Sequence, residues 1–191
     1  VGYNYPSTAN TCPTATVTPL TTDRAVLNAR ISAFQAAGST AGHIGLAWGW
    51  YMVSPNWATL FPAGSRGAAY NSPETLKIVV LMTDGAFNTS YCNGVISSDS
   101  SNGAGNASER INCSATNGDP FSQARALCTA MKQQGIIIYT VGFELNDSEA
   151  EDVLEDCATS SSHAYLTGNG NELIAAFAAI AASISQLRVT R

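Results

Sequence analysis

The chain has 191 residues, 45% of them hydrophobic and 12% charged, with 9 Lys plus Arg against 14 Asp plus Glu and a net charge of -5. A chain of this length suits one domain and buries a real core, because folding hides roughly 70% of its unfolded surface. So few basic residues make no stripe that could neutralise phosphates or grip an anionic membrane, which excludes nucleic acid as the expected partner. No run reaches the roughly 18 consecutive apolar residues of a membrane span. The chain starts at Val1 without a Met or a signal-like segment, so an upstream segment is expected to have been removed.

In chain order, TATVTPL over 14–20 alternates like a short edge strand, the one setting in which Pro19 is tolerated. A helix follows, capped by Thr21 or Thr22, with Leu27, Ile31 and Phe34 at i, i+4 and i+7 and Gly38 as its stop. A second helix runs from about Ala41 to Val53. Its Gly42, Gly45 and Gly49 each cost about 1 kcal/mol of helix propensity, which points to close packing on a sheet. KIVVLMTDG, 77–85, then reads as a strand apolar on both faces that ends at Thr83, Asp84 and Gly85.

Asn88 to Pro120 is long and polar, with SSDSSNGAGNAS at its centre, and reads as a surface excursion. FSQARALCTAMKQQG predicts a helix with Ala124, Leu127 and Met131 inward and Gly135 as its stop, and IIIYTVGF a second two-sided strand. Together they make a βαβ unit. Ser148 and Glu151 form a capping box for a helix reaching about Ala158, and HAYLT supplies a short strand. The closing helix, ELIAAFAAIAASISQL, carries Leu173, Phe177, Ile180, Ile184 and Leu187 as a stripe; packing on the sheet is expected over a coiled coil or a membrane-surface helix. The fold class is α/β, doubly wound around a mostly parallel sheet, in a single domain over 1–191.

Cys12, Cys92, Cys113, Cys128 and Cys157 fit no zinc or C-x-x-C spacing and suggest an oxidising compartment and secretion. Two bridges among five cysteines can be drawn in 5 × 3 = 15 ways. Locality favours Cys92 with Cys113, bracketing the polar excursion, and Cys128 with Cys157, on neighbouring helices. Cys12 is then the orphan, and a buried free thiol is the rival reading for Cys128.

In parallel sheets ligands sit beyond the carboxyl ends of the strands, which places Asp84 in the functional position. A carboxylate there is a hard oxygen ligand suited to Mg²⁺ or a similar cation, and Thr40, on the turn before the second helix, offers a second oxygen. The plainer alternatives are a helix cap for Thr40 and an Asp-Gly turn for Asp84. Enzyme motifs are lacking: there is no G-x-S-x-G, no H-E-x-x-H, no P-loop and no dinucleotide fingerprint. His43 is expected on a helix surface and His163 exposed at a strand start. The acidic run from Glu149 to Asp156 reads as a solvated helix face.

These pieces, in this order, resemble a von Willebrand factor type A domain. CPTATVTPLTTDRAVLNARI, GSTAGHIGLAWGWYMVSPNW, VVLMTDGAFNTSYC, ALCTAMKQQGIIIYTVGF and AAFAAIAASISQLRVTR are similar to the type A domain of TadG-like proteins of bacterial tight-adherence pilus systems. The resemblance implies a non-enzymatic module at the bacterial cell surface or in the periplasm. It further implies a metal-ion-dependent adhesion site, with Thr40 and Asp84 as ligands of Mg²⁺ or a similar divalent cation and an acidic group of a protein partner completing it. Membrane attachment would come only through an upstream segment. The family's first metal motif, Asp-x-Ser-x-Ser, and the central strand that carries it do not occur in this chain, so the resemblance implies a domain incomplete at its N-terminus, of which 1–191 is the C-terminal two-thirds. A structural subunit of a pilus or other filament, with a vestigial metal site, is the alternative.

Overall fold

The computed structural model describes residues 15–35, 40–87, 89–91, 95–97 and 117–189. The chain divides into two compact units, one of Val1–Ala69 and Asn88–Pro120, the other of Tyr70–Phe87 and Phe121–Arg191.

In the first unit, residues 15–20 form no strand. The alternation of TATVTPL had suggested one, but no strand pairs with it among the described residues, and Pro19 has no N–H to give to a ladder. Helix α1, Arg24–Ser32, is capped by Asp23, whose carboxylate accepts from Ala25 N at 2.8 Å and Val26 N at 3.2 Å. Thr21 instead supports the cap, its hydroxyl accepting from Asp23 N at 3.1 Å. The predicted stripe of Leu27, Ile31 and Phe34 lies in solvent, and the predicted stop, Gly38, falls outside the described residues.

Helix α2, Gly42–Val53, is apolar around its whole circumference. His43 and Leu46 are buried on one side, while Trp48 projects from another. The expectation of close packing at the glycines fails at Gly45, which is exposed and whose absent Cβ would meet nothing within 4 Å. Two 3-10 turns follow, at Pro55–Leu60 and Ala63–Ser65. Within the polar excursion, β2, Thr89–Tyr91, pairs antiparallel with β3, Val95–Ser97, a hairpin the sequence did not announce. The core of the excursion, Cys12, Cys92 and Cys113 lie outside the described residues.

The second unit is the parallel sheet. Strand β1, Ile78–Thr83, pairs with β4, Ile137–Phe143, which pairs in turn with β5, Ala164–Thr167, giving the order β1-β4-β5. Helix α3, Pro120–Gln133, makes the crossover from β1 to β4 and ends as predicted at Gly135, held at φ 72, where glycine carries no Cβ penalty. Its inner face is Phe121, Ala124, Cys128 and Met131, with Leu127 only half-buried. Helix α4, Ser148–Cys157, buries Ala150, Val153, Leu154 and Cys157. Its cap is Asp147, accepting from Ala150 N at 2.9 Å, in place of the predicted Ser148–Glu151 box. A carboxylate satisfies the orphan N–H groups as a hydroxyl does and adds charge that suits the helix N-terminus.

Helices α3 and α4 are joined by a disulfide between Cys128 and Cys157. Arg125 pairs with Asp156 at 2.7 Å, and Lys132 reaches the Asp156 and Ala158 carbonyls at 2.7 and 3.2 Å. Helix α5, Gly170–Val189, packs through Ile180, Leu173 and Ile184 against Tyr139, Val141 and Tyr165. The Tyr139 hydroxyl is 2.7 Å from Ser183 Oγ. Residues 170–187 are long and apolar enough to cross a membrane by length and composition, and the 11% of that stretch that is buried lies where α5 packs on the sheet. Phe177, expected inward, is 42% exposed, and Ala176 occupies the buried position instead.

Strand β4 is buried on both faces, as predicted, but β1 is not. Val79, Leu81 and Thr83 are buried, while Val80 and Met82 are 40% and 45% exposed. The exposed pair is in register with Tyr139 and Val141, so it shares the face that α5 covers farther along the sheet. The reason is position: β1 is an edge strand among the described residues, and α5 lies over its neighbours.

Candidate functional site

Asp84 follows β1 directly and stands exposed at its carboxyl end. The turn it occupies is fixed by Thr83, whose buried hydroxyl donates to Gly85 O at 2.9 Å and accepts from Gly85 N at 3.3 Å. The carboxylate is thereby presented on the end of a rigid strand, as the parallel-sheet argument requires. Thr40 is half-buried, two residues before α2. Residue Ala41 takes the cap position with no side-chain hydrogen bond, so Thr40 is not the N-cap that the plainer reading assigned to it.

Thr40 belongs to the first unit and Asp84 to the second. As donors, a hydroxyl and a carboxylate are the right class for Mg²⁺, but two oxygens fall short of its six. Among the described residues no group of three or more His, Cys, Asp or Glu side chains is placed to hold a metal. The described donor set therefore does not by itself fit the ion.

His43, expected on the surface, is 3% exposed, and neither ring nitrogen has a hydrogen-bond partner among the described residues. Burial disfavours the imidazolium and lowers its pKa from 6.5 to about 4. His43 is thus a neutral, buried ring in the first turn of α2. No sequence signal marked it, because GHIG carries no partner residue and a helix apolar on all sides does not declare its inward face.

His163, expected exposed, is half-buried against Tyr139, with ring centroids 4.5 Å apart. Its Nδ1 is 2.7 Å from Ser160 Oγ and 3.3 Å from Ser162 Oγ. This hydroxyl–imidazole contact resembles a nucleophile with its base, but it sits in the turn that enters β5, at the amino end of the strand. Parallel sheets place their chemistry at the other end.

At that carboxyl end, β4 and β5 frame a cavity of about 220 Å3 lined by Gly142, Glu144, Leu145, Glu151, Leu166 and Thr167. Glu144 has φ 49 and donates its N–H to Thr167 O at 2.7 Å, while the Thr167 hydroxyl donates to Gly142 O at 2.8 Å. Gly142 leaves room there for two leucine side chains. A Cβ would come within 2.6 Å of Leu145 Cδ1 and 2.9 Å of Leu166 Cδ2. The acidic helix face predicted for α4 holds for Glu149, Asp152 and Glu155, which are exposed, whereas Glu151 turns to this cavity.

Among solved structures, the chain superposes on the vWF domain of the type V pili tip protein Mfa5 from Porphyromonas gingivalis. The TM-score is 0.59 at 18% identity, covering 88% of this chain and 75% of that one. The chain has the fold of a von Willebrand factor A-type domain. The pilus adhesin SpaC from Lactobacillus rhamnosus GG matches over 82% of this chain at TM-score 0.52 and 17% identity, and this chain spans 21% of SpaC. Searches against protein-family models and curated proteins found no match. In the von Willebrand factor A-type fold, then, the sequence-predicted Asp84 ends the edge strand of the described sheet, at its carboxyl rim.

Proposed function

We propose that the protein is a non-enzymatic adhesion or interaction module that works outside the cytoplasm of a bacterium, in association with a tight-adherence type pilus. The observation that carries this reading is the fold, shared with two proteins described as a pilus tip protein and a pilus adhesin. The Cys128–Cys157 bridge agrees with an oxidising compartment, the cell surface or the periplasm. In this reading 1–191 belongs to one von Willebrand factor A-like domain. Thr40 and Asp84 are part of a divalent-cation site, the remaining oxygens come from outside the described residues, and a partner's acidic group completes it. A structural filament subunit with a vestigial site is the second reading, favoured by the small donor set among the described residues.

The test uses the full-length polypeptide from its host, incubated with purified pili in Mg²⁺ or in chelator. Adhesion through the metal predicts saturable binding that chelation and Asp84→Ala both abolish. It also predicts that Mg²⁺ stabilises the fold, by about 2.7 kcal/mol at 100 times its Kd. Stoichiometric incorporation into the filament without any effect of chelation selects the structural reading. An undiminished Mg²⁺ effect in Asp84→Ala places the ion elsewhere.

A further inference from the structure

The first unit carries an aromatic cluster that neither the fold nor the proposed metal site uses. Tyr51, from α2, stacks on Trp57, from the following 3-10 turn, with centroids 4.0 Å apart and planes 23° apart. Trp48, one helical turn earlier, meets Tyr51 edge-on at 5.6 Å and 75°. Trp48 and Trp57 are each 39% exposed. One face of Trp57 is covered by Tyr51, and 39% of the residue remains open to water. Leaving this much aromatic surface wet costs about 25 cal/mol per Å2, and side chains of this kind anchor ligands wherever they are displayed.

The cluster is held in place before any ligand arrives. Pro55 starts the turn with its φ fixed, and the buried Ser54 hydroxyl accepts from Asn56 N at 3.2 Å. Phe61, 7% exposed, anchors the far end, and its carbonyl accepts from Arg66 Nε at 3.3 Å. Gly67 lies so close to the end of α2 that a Cβ would sit 2.5 Å from Val53 O. A ring stack pinned at both ends loses little conformational entropy on binding.

Charge identifies the occupant. From Thr40 to Ala69 the only charged side chain is Arg66, and His43 is neutral at pH 7. The segment thus has no carboxylate to select a cation, and its one cation, Arg66, gives its Nε–H to the Phe61 carbonyl. Attachment to an anionic membrane would call for basic residues around the aromatics. In the same 3-10 turn as Trp57 stand the exposed Asn56 and Thr59, an amide and a hydroxyl that donate and accept without charge, together with Leu60, 60% exposed. An aromatic face with neutral hydrogen-bonding residues in the same turn matches a pyranose ring, which has an apolar C–H face and hydroxyls around its rim.

We propose that Trp48, Tyr51 and Trp57 form a platform that binds an uncharged carbohydrate chain, with Asn56 and Thr59 bonding its hydroxyls. The platform draws on neither Thr40 nor Asp84, so its test does not depend on the proposed metal site. Three neutral oligosaccharides serve as probes: cellohexaose, maltohexaose and the hexamer of N-acetylglucosamine. Titration followed by tryptophan fluorescence and by calorimetry, in chelator, should give a saturable response to at least one of them. Trp57→Ala should weaken it roughly tenfold or more, and Trp48→Ala less, with the melting temperature measured alongside because at 39% exposure most of each residue is packed. If Trp57→Ala fails to fold, Trp57→Leu, which keeps apolar bulk but no ring, must show the same loss. Absence of a saturable response to all three sugars overturns the proposal, as does equal affinity in the Trp57 variants. A blue shift with phosphatidylglycerol vesicles but not with sugars also overturns it and assigns the rings to a lipid surface.

Discussion

Replacing both Cys128 and Cys157 by Ala removes the bridge between α3 and α4, and the size of the loss follows from the loop it closes. The two cysteines are 29 residues apart in sequence. In the chain-entropy account, a loop of that length restricts the unfolded chain by about 12 cal/mol/K, or about 3.6 kcal/mol at 25 °C. The native state should keep its geometry, because Arg125–Asp156 and the Lys132 contacts still tie the same two helices. Both sulfurs are buried, so their truncation adds a smaller packing loss of the same sign. The assay is urea unfolding of the wild type and the double variant, followed by fluorescence and by circular dichroism. A fall in stability of about 3 to 4 kcal/mol is expected, close to a third of the stability of an ordinary domain. A loss under 1 kcal/mol, or a peptide map without a Cys128–Cys157 crosslink in the wild type, would refute the reasoning.

Gly45→Ala should stabilise the protein by up to about 1 kcal/mol, since the position is helical, exposed and sterically open; a lower melting temperature would show that the helix needs the gap. Gly67→Ala should destabilise by about 1 to 3 kcal/mol, because the obstacles are the Val53 and Ser54 carbonyls and not a side chain that can turn away. Its near-ultraviolet dichroism should change as the tryptophans shift. His43 is buried and neutral with a folded pKa of about 4 against 6.5 unfolded, so the unfolded chain binds the extra proton between these values. Its contribution to stability is complete above pH 6.5 and is lost as pH falls toward 4, by up to about 3 kcal/mol. In His43→Leu that part of the pH dependence should disappear, and an unchanged profile between pH 6.5 and 4 would contradict the assignment. Phe87→Ala should cost about 3 to 5 kcal/mol, since the ring is fully buried and stacked on Phe121 at 5.2 Å; a cost under 1 kcal/mol in thermal denaturation would mean the pair is not core.

The sheet of the second unit could be read from the sequence because its signals are local and strong. IIIYTVGF can lie only where both faces are covered, FSQARALCTAMKQQG has one apolar face and a glycine stop, and a helix between two such strands makes a parallel crossover. The same reading located Asp84 at a strand end and paired Cys128 with Cys157. It misjudged elements whose fate depends on neighbours. TATVTPL has the period of a strand but forms no ladder, and the caps went to Asp23 and Asp147 because several adjacent residues could serve and geometry chose among them.

By itself, then, the sequence determined the α/β class and the order of the second unit's elements, consequences of hydrophobic period, turn chemistry and short-range spacing, while the Cys128–Cys157 crosslink was favoured by locality and decided by the fold. Tertiary structure decided everything that depends on what lies alongside. KIVVLMT is as apolar as the strand beside it, yet α5 covers β4 and leaves Val80 and Met82 in water, since a sheet edge is fixed by pairing and not by composition. In α2, apolar on every side, periodicity could not say that His43 would be buried and Trp48 exposed. Nor could it bring Trp57 onto Tyr51. That contact depends on the angle at which a short turn leaves the helix, a quantity that no run of residue types contains.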